Sequence, residues 1–181
     1  NYKKLGGVYM KFKLPKKYEL PIYLFHNGKN YQAADFFGAH LVTSGKNTGY
    51  EFKVWAPKAK SISVVGDFNN WDRTANPMKK ISDEIWMAYI SDLKVYDTYK
   101  YSVEAQNGKI KMKADPYGTH METKPATGTK IYDIDCFKWT DQQWQDKKVA
   151  TNIYKSPVNI YEVNLGSWRR NADGSFYSYE Q

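Results

Sequence analysis

The stretch that decides the fold is Ser61-Ile62-Ser63-Val64-Val65-Gly66-Asp67-Phe68-Asn69-Asn70-Trp71-Asp72, residues 61–72. Its first half alternates polar and apolar residues, a period of two that predicts a strand with one buried face. Its second half is rich in Gly, Asp and Asn, the residues of tight surface turns. The stretch therefore predicts a strand that runs into a polar turn, with Trp71 on that turn.

Strand periodicity extends outward from this stretch over about residues 50 to 134. Tyr50, Phe52 and Val54 alternate with charged residues, so this segment also has one face to bury. The segment 85–90 is apolar at every position, which predicts a central strand covered on both faces. Aromatic residues make up 17% of the chain and suit such strands.

A hairpin is predicted around Asn107 and Gly108. Asn-Gly between alternating runs favours a two-residue type I′ turn, in which both turn residues have positive φ. Counting back from that turn gives a register with one apolar face and one face of opposite charges: Tyr101, Val103, Ala105, Ile110, Met112 and Ala114 on the first, and Glu104 opposite Lys111 with Lys100 opposite Asp115 on the second.

Bulk composition limits the classes of partner. The net charge of +8 raises nucleic acid as a partner, but the lysines are scattered in pairs without a basic block or recognition helix, so we expect a solvated surface and no nucleic acid. No window approaches the ~18 apolar residues of a membrane span, so we expect no membrane partner. A single cysteine, Cys136, predicts a reduced, cytoplasmic chain and a buried structural thiol.

Metal and cofactor chemistry is not indicated. His26, His40 and His120 are far apart in sequence and distant from Cys136, so none forms a pair with metal-ligand spacing. Gly6-Gly7 is not followed by the remainder of a phosphate-binding motif. We therefore expect no metal site and no cofactor.

Trp71 has two possible roles. An indole on a polar turn gains little unless a flat apolar partner covers it, and the C–H face of a glucose ring is such a partner. Alternatively, the side chain folds back into the core of its own domain. The sugar interpretation predicts an exposed ring within reach of the Lys100 ammonium, whereas the core interpretation predicts a buried one.

The chain resembles a known family at several motifs. These motifs are Gly38-Ala39-His40, Phe52-Lys53-Val54-Trp55-Ala56-Pro57, the turn 65–72, Lys113-Ala114-Asp115-Pro116-Tyr117, and the segment 160–170. They resemble the starch- and glycogen-binding module of family 48 that precedes the catalytic barrel of α-glucan branching enzymes. The resemblance implies an all-β fold, an immunoglobulin-like β-sandwich. It further implies an N-terminal extension and a C-terminal helix and strand stub of an absent (β/α)₈ barrel.

The resemblance also implies a glucan site. In related modules sugar lies against a Trp of this turn and a Lys of the next strand, which match Trp71 and Lys100, and we add Asn69 and Asn70 of the turn as substrate-binding residues. A second Trp of the family has no counterpart, because residues 107–110 contain no aromatic. No residue of this chain is assigned as catalytic, since the family's carboxylates lie on later barrel strands, and Glu162 is interpreted as a structural strand residue.

Four segments are expected. They are an N-terminal extension over 1–44 with little structure before residue 18, a sandwich over 45–135, a linker with a short helix from Thr140 over 136–157, and the first barrel strand and loop over 158–181. The resemblance implies a region of a 1,4-alpha-glucan branching enzyme that binds α-glucan and has the missing barrel as its partner. The alternatives are a non-binding structural module that packs on the barrel and a nucleic-acid-binding β domain.

Overall fold

A computed structural model describes residues 2–5, 8–11, 14–44, 47–82, 84–164 and 166–180. The chain divides into two compact units, one up to Cys136 and one from Phe137 onward. The boundaries predicted at residues 44, 135 and 157 stay a prediction. The regular elements, in chain order, are β1 Tyr2–Leu5, β2 Val8–Lys11, α1 Lys16–His26, β3 Gly38–Ser44, β4 Asn47–Trp55, β5 Ala59–Gly66, β6 Lys79–Lys80, β7 Ile85–Ser91, β8 Thr98–Ala105, β9 Ile110–Lys113, β10 His120–Met121, β11 Thr129–Lys130 and α2 Gln142–Ala150.

The first unit is built around two antiparallel sheets. The first sheet has the order β3-β4-β7-β6, and the second has the order β10-β11-β8-β5, with β9 also paired to β8. The apolar side chains of the alternating strands form a core between the two sheets. This core includes Phe52 and Trp86 from the first sheet and Val64 and Tyr101 from the second. The predicted all-β sandwich is confirmed. We call the face of the second sheet that points away from this core, with Ser63, Val65, Lys100 and Ser102, its outer face.

One carboxylate organises the core side of the second sheet. Asp115 is buried, and its Oδ2 accepts hydrogen bonds from the hydroxyls of Tyr99 and Tyr101 at 2.8 Å each. Its backbone N–H donates to Thr129 Oγ1 at 2.9 Å. Burial raises the pKa of the Asp115 carboxyl, whereas the hydrogen bonds that it accepts from the Tyr117 N–H and from the hydroxyls of Tyr99 and Tyr101 act to lower it. The Asp-Pro-Tyr motif therefore ties β8 to β11, and the predicted pairing of Lys100 with Asp115 is wrong.

Helix α1 was not predicted, since residues before 18 were expected to have little structure. The helix packs Tyr18 and Ile22 into a second cluster with Phe36, Phe37 and Ile85. The spacing of Tyr18 and Ile22, four residues apart, is that of one helix face. Pro21 inside the helix obscured this signal because proline normally interrupts a helix. β1 and β2, also unpredicted, form an antiparallel hairpin.

Strand β7 is central, as predicted, because it pairs with β4 on one side and β6 on the other. Its two faces enter different clusters, with Trp86 and Ile90 in the sandwich core and Ile85 in the cluster of α1. The cover on the second face stops before Tyr89, which is 45% exposed. The double coverage therefore holds for the first part of the strand only.

The hairpin of β8 and β9 is present, but its predicted register is wrong by one residue. Tyr101 pairs with Lys113 and Glu104 with Ile110, and the loop closes with the N–H of Ala105 donating to the carbonyl of Lys109 at 2.9 Å. Gly108 has φ 78°, whereas Asn107 lacks positive φ. This is a three-residue loop with glycine in the left-handed position, not a type I′ turn.

The one-residue difference between the predicted and the observed register has a physical cause and changes which side chains are exposed. Strand β9 is exposed along its whole length, so no buried face enforces its register. Ile110 and Met112, placed by the predicted register on the apolar face with Tyr101, are about half exposed. Glu104 does not face Lys111; its carboxylate instead binds the Lys60 ammonium at 2.7 Å and the Ser61 hydroxyl at 2.7 Å.

The second unit begins at Phe137. Helix α2 forms where the sequence predicted a helix, after Thr140, and its last turn carries Lys147 and Lys148. The strand predicted from Val158 is absent: residues 158–164 have no strand conformation. A barrel strand is stabilised by its neighbours on both sides, and the residues described in the second unit form no strand that could pair with 158–164. No helix in the described part of the chain is both long and apolar enough to cross a bilayer.

Candidate glucan-binding site

The turn after β5 presents Trp71 at the surface. The backbone reverses so tightly that Asn70 and Trp71 both adopt left-handed conformations, with φ of 52° and 61°, and Trp71 N–H donates to the carbonyl of Gly66 at 3.0 Å. A Cβ on Gly66 would collide with the carbonyl oxygen of Thr98, so the chain requires glycine where the turn leaves the sheet. The indole is 37% exposed, with its Nε1–H donating to Asp67 Oδ1 at 3.0 Å.

Asn69 holds the turn from inside. Its Oδ1 accepts the Gly66 N–H at 2.9 Å, while its Nδ2 donates to the carbonyl of Val64 at 3.0 Å and to Asn76 Oδ1 at 2.7 Å. Asn70, by contrast, is exposed. Non-glycine residues in left-handed conformations persist only where the surroundings hold them, and the Asn69 bonds supply that support. Asn69 therefore positions Trp71, and its own contact with sugar stays a prediction.

Lys100 lies one strand away on the outer face. It pairs with Val65 of β5, and Tyr99 pairs with Gly66, so Lys100 is at the level where the tryptophan turn begins. Its ammonium donates to Thr127 Oγ1 at 2.7 Å. Sequence reasoning missed Thr127, which lies in the segment leading into β11. The structure describes both Lys100 and Trp71 and records no cation–π contact between them.

This arrangement presents the kinds of group that suit a neutral sugar chain. The indole offers an apolar ring for the C–H face of a pyranose, and the ammonium and the Thr127 hydroxyl offer hydrogen-bonding groups for its hydroxyls. A second aromatic is lacking at the hairpin tip, residues 106–108, as the sequence indicated.

The remaining candidates carry no site. Cys136, predicted to be buried, is exposed, because it ends a short 3-10 turn at the limit of the first unit. Glu162 is exposed. Among the described residues, no group of three or more His, Cys, Asp or Glu side chains could hold a metal ion.

Comparisons with known proteins agree with this architecture. The model of carbohydrate-binding module 48 (isoamylase N-terminal domain) matches residues 36–118. The chain is 42% identical over 162 residues to the 1,4-alpha-glucan branching enzyme GlgB 1 of Clostridium perfringens (strain SM101), covering 88% of this chain and 24% of the relative. It is 41% identical over 161 residues to GlgB of Bacillus subtilis (strain 168), covering 88% of this chain and 26% of that relative.

The chain thus spans about a quarter of the length of the curated relatives it matches. Among solved structures, the pullulanase of Bacillus acidopullulyticus matches with a TM-score of 0.48 and 24% identity over 60% of this chain and 13% of that protein. Residues 36–118 match the carbohydrate-binding module 48 family, and the chain as a whole is similar to part of the 1,4-alpha-glucan branching enzymes.

Proposed function

We propose that this chain is the glucan-binding region of a 1,4-alpha-glucan branching enzyme, located in the cytoplasm. The whole enzyme would cut an α-1,4 link and transfer the released chain to a 6-hydroxyl, with its catalytic carboxylates in the barrel that the sequence resemblance implies. The region described here would hold the glucan substrate near that barrel. Its relatives are named as branching enzymes, and its sandwich belongs to a carbohydrate-binding family.

One observation carries the proposal for the binding surface. Trp71 is partly exposed on a turn whose internal hydrogen bonds fix its position, one strand away from the Lys100 ammonium and the Thr127 hydroxyl. Fixing a ring before sugar arrives lowers the entropy lost on binding. A single ring contact is worth ~1–3 kcal/mol by analogy with other stacking platforms, so we expect weak binding by one site. On a branched polymer many such sites act together through effective concentration.

A second candidate function is a structural module that packs on the barrel without binding sugar. Two observations favour it: the hairpin tip lacks the second aromatic, and the Trp71 indole is more covered than the 47% exposed Trp55. Under this candidate the indole faces the neighbouring domain of the same polypeptide.

Affinity electrophoresis of the 181-residue chain in glycogen gels tests the two candidates. We expect glycogen to retard the wild-type chain, Trp71→Ala to lose most of this retardation, and Trp71→Phe to keep part of it because the apolar ring remains. Trp55→Ala is the matched control, since Trp55 also donates its Nε1–H to a carboxylate, that of Glu84 at 2.9 Å, but lies on the first sheet. We expect it to migrate like the wild type.

Thermal melts of the same variants separate binding from folding. Removal of a partly exposed ring leaves little cavity, so we expect Trp71→Ala to melt within a few degrees of the wild type. A loss of ~3–5 kcal/mol, the usual cost of deleting a core aromatic, would instead show that Trp71 belongs to the core. No retardation of any variant, with all melts intact, would favour the structural module.

A further inference from the structure

We propose that Tyr96, His120 and Tyr132 form a second aromatic platform, which contacts the same α-glucan chain as Trp71. We call these three residues the tyrosine–histidine cluster. The inference rests on the proposed function, because it takes the ligand to be an α-glucan. It assigns to this surface the second aromatic contact that the hairpin tip lacks.

The three rings form one closed group. The ring centroids of Tyr96 and His120 are 5.5 Å apart, those of Tyr96 and Tyr132 are 5.7 Å apart, and those of His120 and Tyr132 are 5.0 Å apart. The Tyr96 side chain is 54% exposed, and neither His120 nor Tyr132 is buried. Aromatic rings that contact each other at a surface, rather than in the core, offer faces to an outside partner.

The backbone holds Tyr96 in an unusual conformation. Its φ is 74°, a left-handed value that bulky residues rarely adopt. The N–H of Tyr96 donates to the carbonyl of Ile131 at 2.7 Å, and its own carbonyl accepts the Lys130 ammonium at 3.5 Å. These bonds fix the ring next to Tyr132, as the Asn69 bonds fix Trp71. Such strained residues concentrate at binding and catalytic sites.

Strand pairing puts His120 of the cluster on the same face of the second sheet as Lys100. His120 pairs with Lys130, and Lys130 pairs with Thr98, so the three residues share one face of the second sheet. Thr98 precedes Lys100 by two residues on β8, so Lys100 lies on that face as well. Three strand spacings separate β10 from β5, which leads into the turn of Trp71, and this is about 15 Å, a distance that maltoheptaose can span.

A cavity next to the cluster supplies polar partners. Tyr132 and Lys130 line it together with the carboxylates of Asp133 and Asp135, and its volume is about 510 Å³. Ligand pockets commonly measure ~300–1,000 Å³ and combine aromatic walls with a few polar groups. Carboxylates accept hydrogen bonds from sugar hydroxyls. Tyr50 of the first sheet and Tyr99 on the core side of β8 also line the cavity, so it lies at the edge of the sandwich beside Tyr132.

Titration of the 181-residue chain with maltose and with maltoheptaose, followed by calorimetry, tests the proposal. A linear chain long enough to touch both platforms gains from their effective concentration, whereas maltose does not. We expect maltoheptaose to bind the wild type at least tenfold more tightly than maltose does. Tyr132→Ala and Tyr96→Ala should each weaken maltoheptaose binding about 5- to 10-fold, by analogy with the loss of one stacking contact.

Tyr31→Ala is the matched control, since Tyr31 is 93% exposed on a loop of the same unit. A thermal melt of each variant checks that it is folded. If Tyr96→Ala is not folded, the result for Tyr132→Ala decides the test. If Trp71→Ala weakens binding while both cluster variants bind like Tyr31→Ala, the second platform is refuted and the Trp71 site stands. If the cluster variants weaken binding and Trp71→Ala does not, the Trp71 site fails and the platform stands. If no variant changes binding, both are refuted.

Discussion

At the scale of single residues, Glu51 and Lys53 join helix α1 to the first sheet. Glu51 Oε2 accepts the Lys53 ammonium at 2.6 Å, and its Oε1 accepts the Tyr18 hydroxyl at 2.6 Å. Burial alone would raise the pKa of Glu51, but these hydrogen bonds outweigh it and lower the pKa from 4.5 to about 2. Burial lowers the pKa of Lys53, whose ammonium depends on Glu51 for its charge partner.

These shifts predict a pH dependence of stability. Because folding depresses the pKa of Glu51, the contribution of this residue to folding stability is complete above pH 4.5 and is lost as the pH falls towards 2. Across that pH window we expect the free energy of unfolding of the wild type to fall by about 1–2 kcal/mol because of Glu51. This is less than the whole pKa shift would give, because solvent reaches the carboxylate. Glu51→Gln should be less stable at neutral pH, since Lys53 is left without its partner, and it should lack this part of the acid dependence.

Urea unfolding at a series of pH values measures both effects. Glu19→Gln, an exposed glutamate on α1, is the control and should follow the wild type. An acid dependence in Glu51→Gln that matches the wild type would contradict the assignment of this window to Glu51.

At the scale of elements, the loop between β8 and β9 shows how one glycine sets a register. Gly108 is left-handed and Asn107 is not, so Gly108→Ala should cost about 1 kcal/mol of stability, whereas Asn107→Ala should cost less. Asn107→Ala removes only the hydrogen bond that the Lys109 N–H donates to Asn107 Oδ1 at 3.1 Å. A type I′ turn would penalise both substitutions, because both of its turn residues have positive φ.

Chemical denaturation of the two variants distinguishes the loops. Gly108→Asn serves as the intermediate case, because asparagine tolerates left-handed backbone better than alanine does. Equal losses for Asn107→Ala and Gly108→Ala would contradict the three-residue loop.

At the scale of the whole molecule, the described chain is a sandwich with a second, smaller unit. Retaining glycoside chemistry places a nucleophilic carboxylate and an acid–base carboxyl ~5 Å apart, and the barrel that would hold them needs about 250 residues. These 181 residues are too few for that barrel in addition to the sandwich. We therefore expect the chain by itself to leave the iodine-stain absorbance of amylose unchanged.

The control for this prediction is an intact branching enzyme under the same conditions, which lowers the absorbance as it shortens linear chains. A comparable fall with the purified 181-residue chain would show that the chain contains its own catalytic site.

The sequence by itself determined that β4, β5 and β7 are strands and where the tryptophan turn lies. Alternation such as that of Phe52 and Val54 is a local pattern with a period of two, and burial of one face is its direct consequence. The Gly-Asp-Asn composition likewise predicted a surface turn and left open whether Trp71 is exposed or in the core; the structure shows the indole 37% exposed. The alternation predicted strands with one buried face, whereas their arrangement as a sandwich was what the family resemblance implied.

Only the tertiary structure decided features that depend on distant partners. The register of β9 was open because its side chains are exposed. Residues 158–164 formed no strand, and the described residues of the second unit contain no other strand with which they could pair. Thr127 and Lys100 are 27 residues apart in sequence, and only the pairing of β11 with β8 brings their segments together. That pairing also brings Tyr96, which precedes β8, near Tyr132, which follows β11, and the pairing of β10 with β11 adds His120. This aromatic cluster is therefore a product of topology rather than of any local motif.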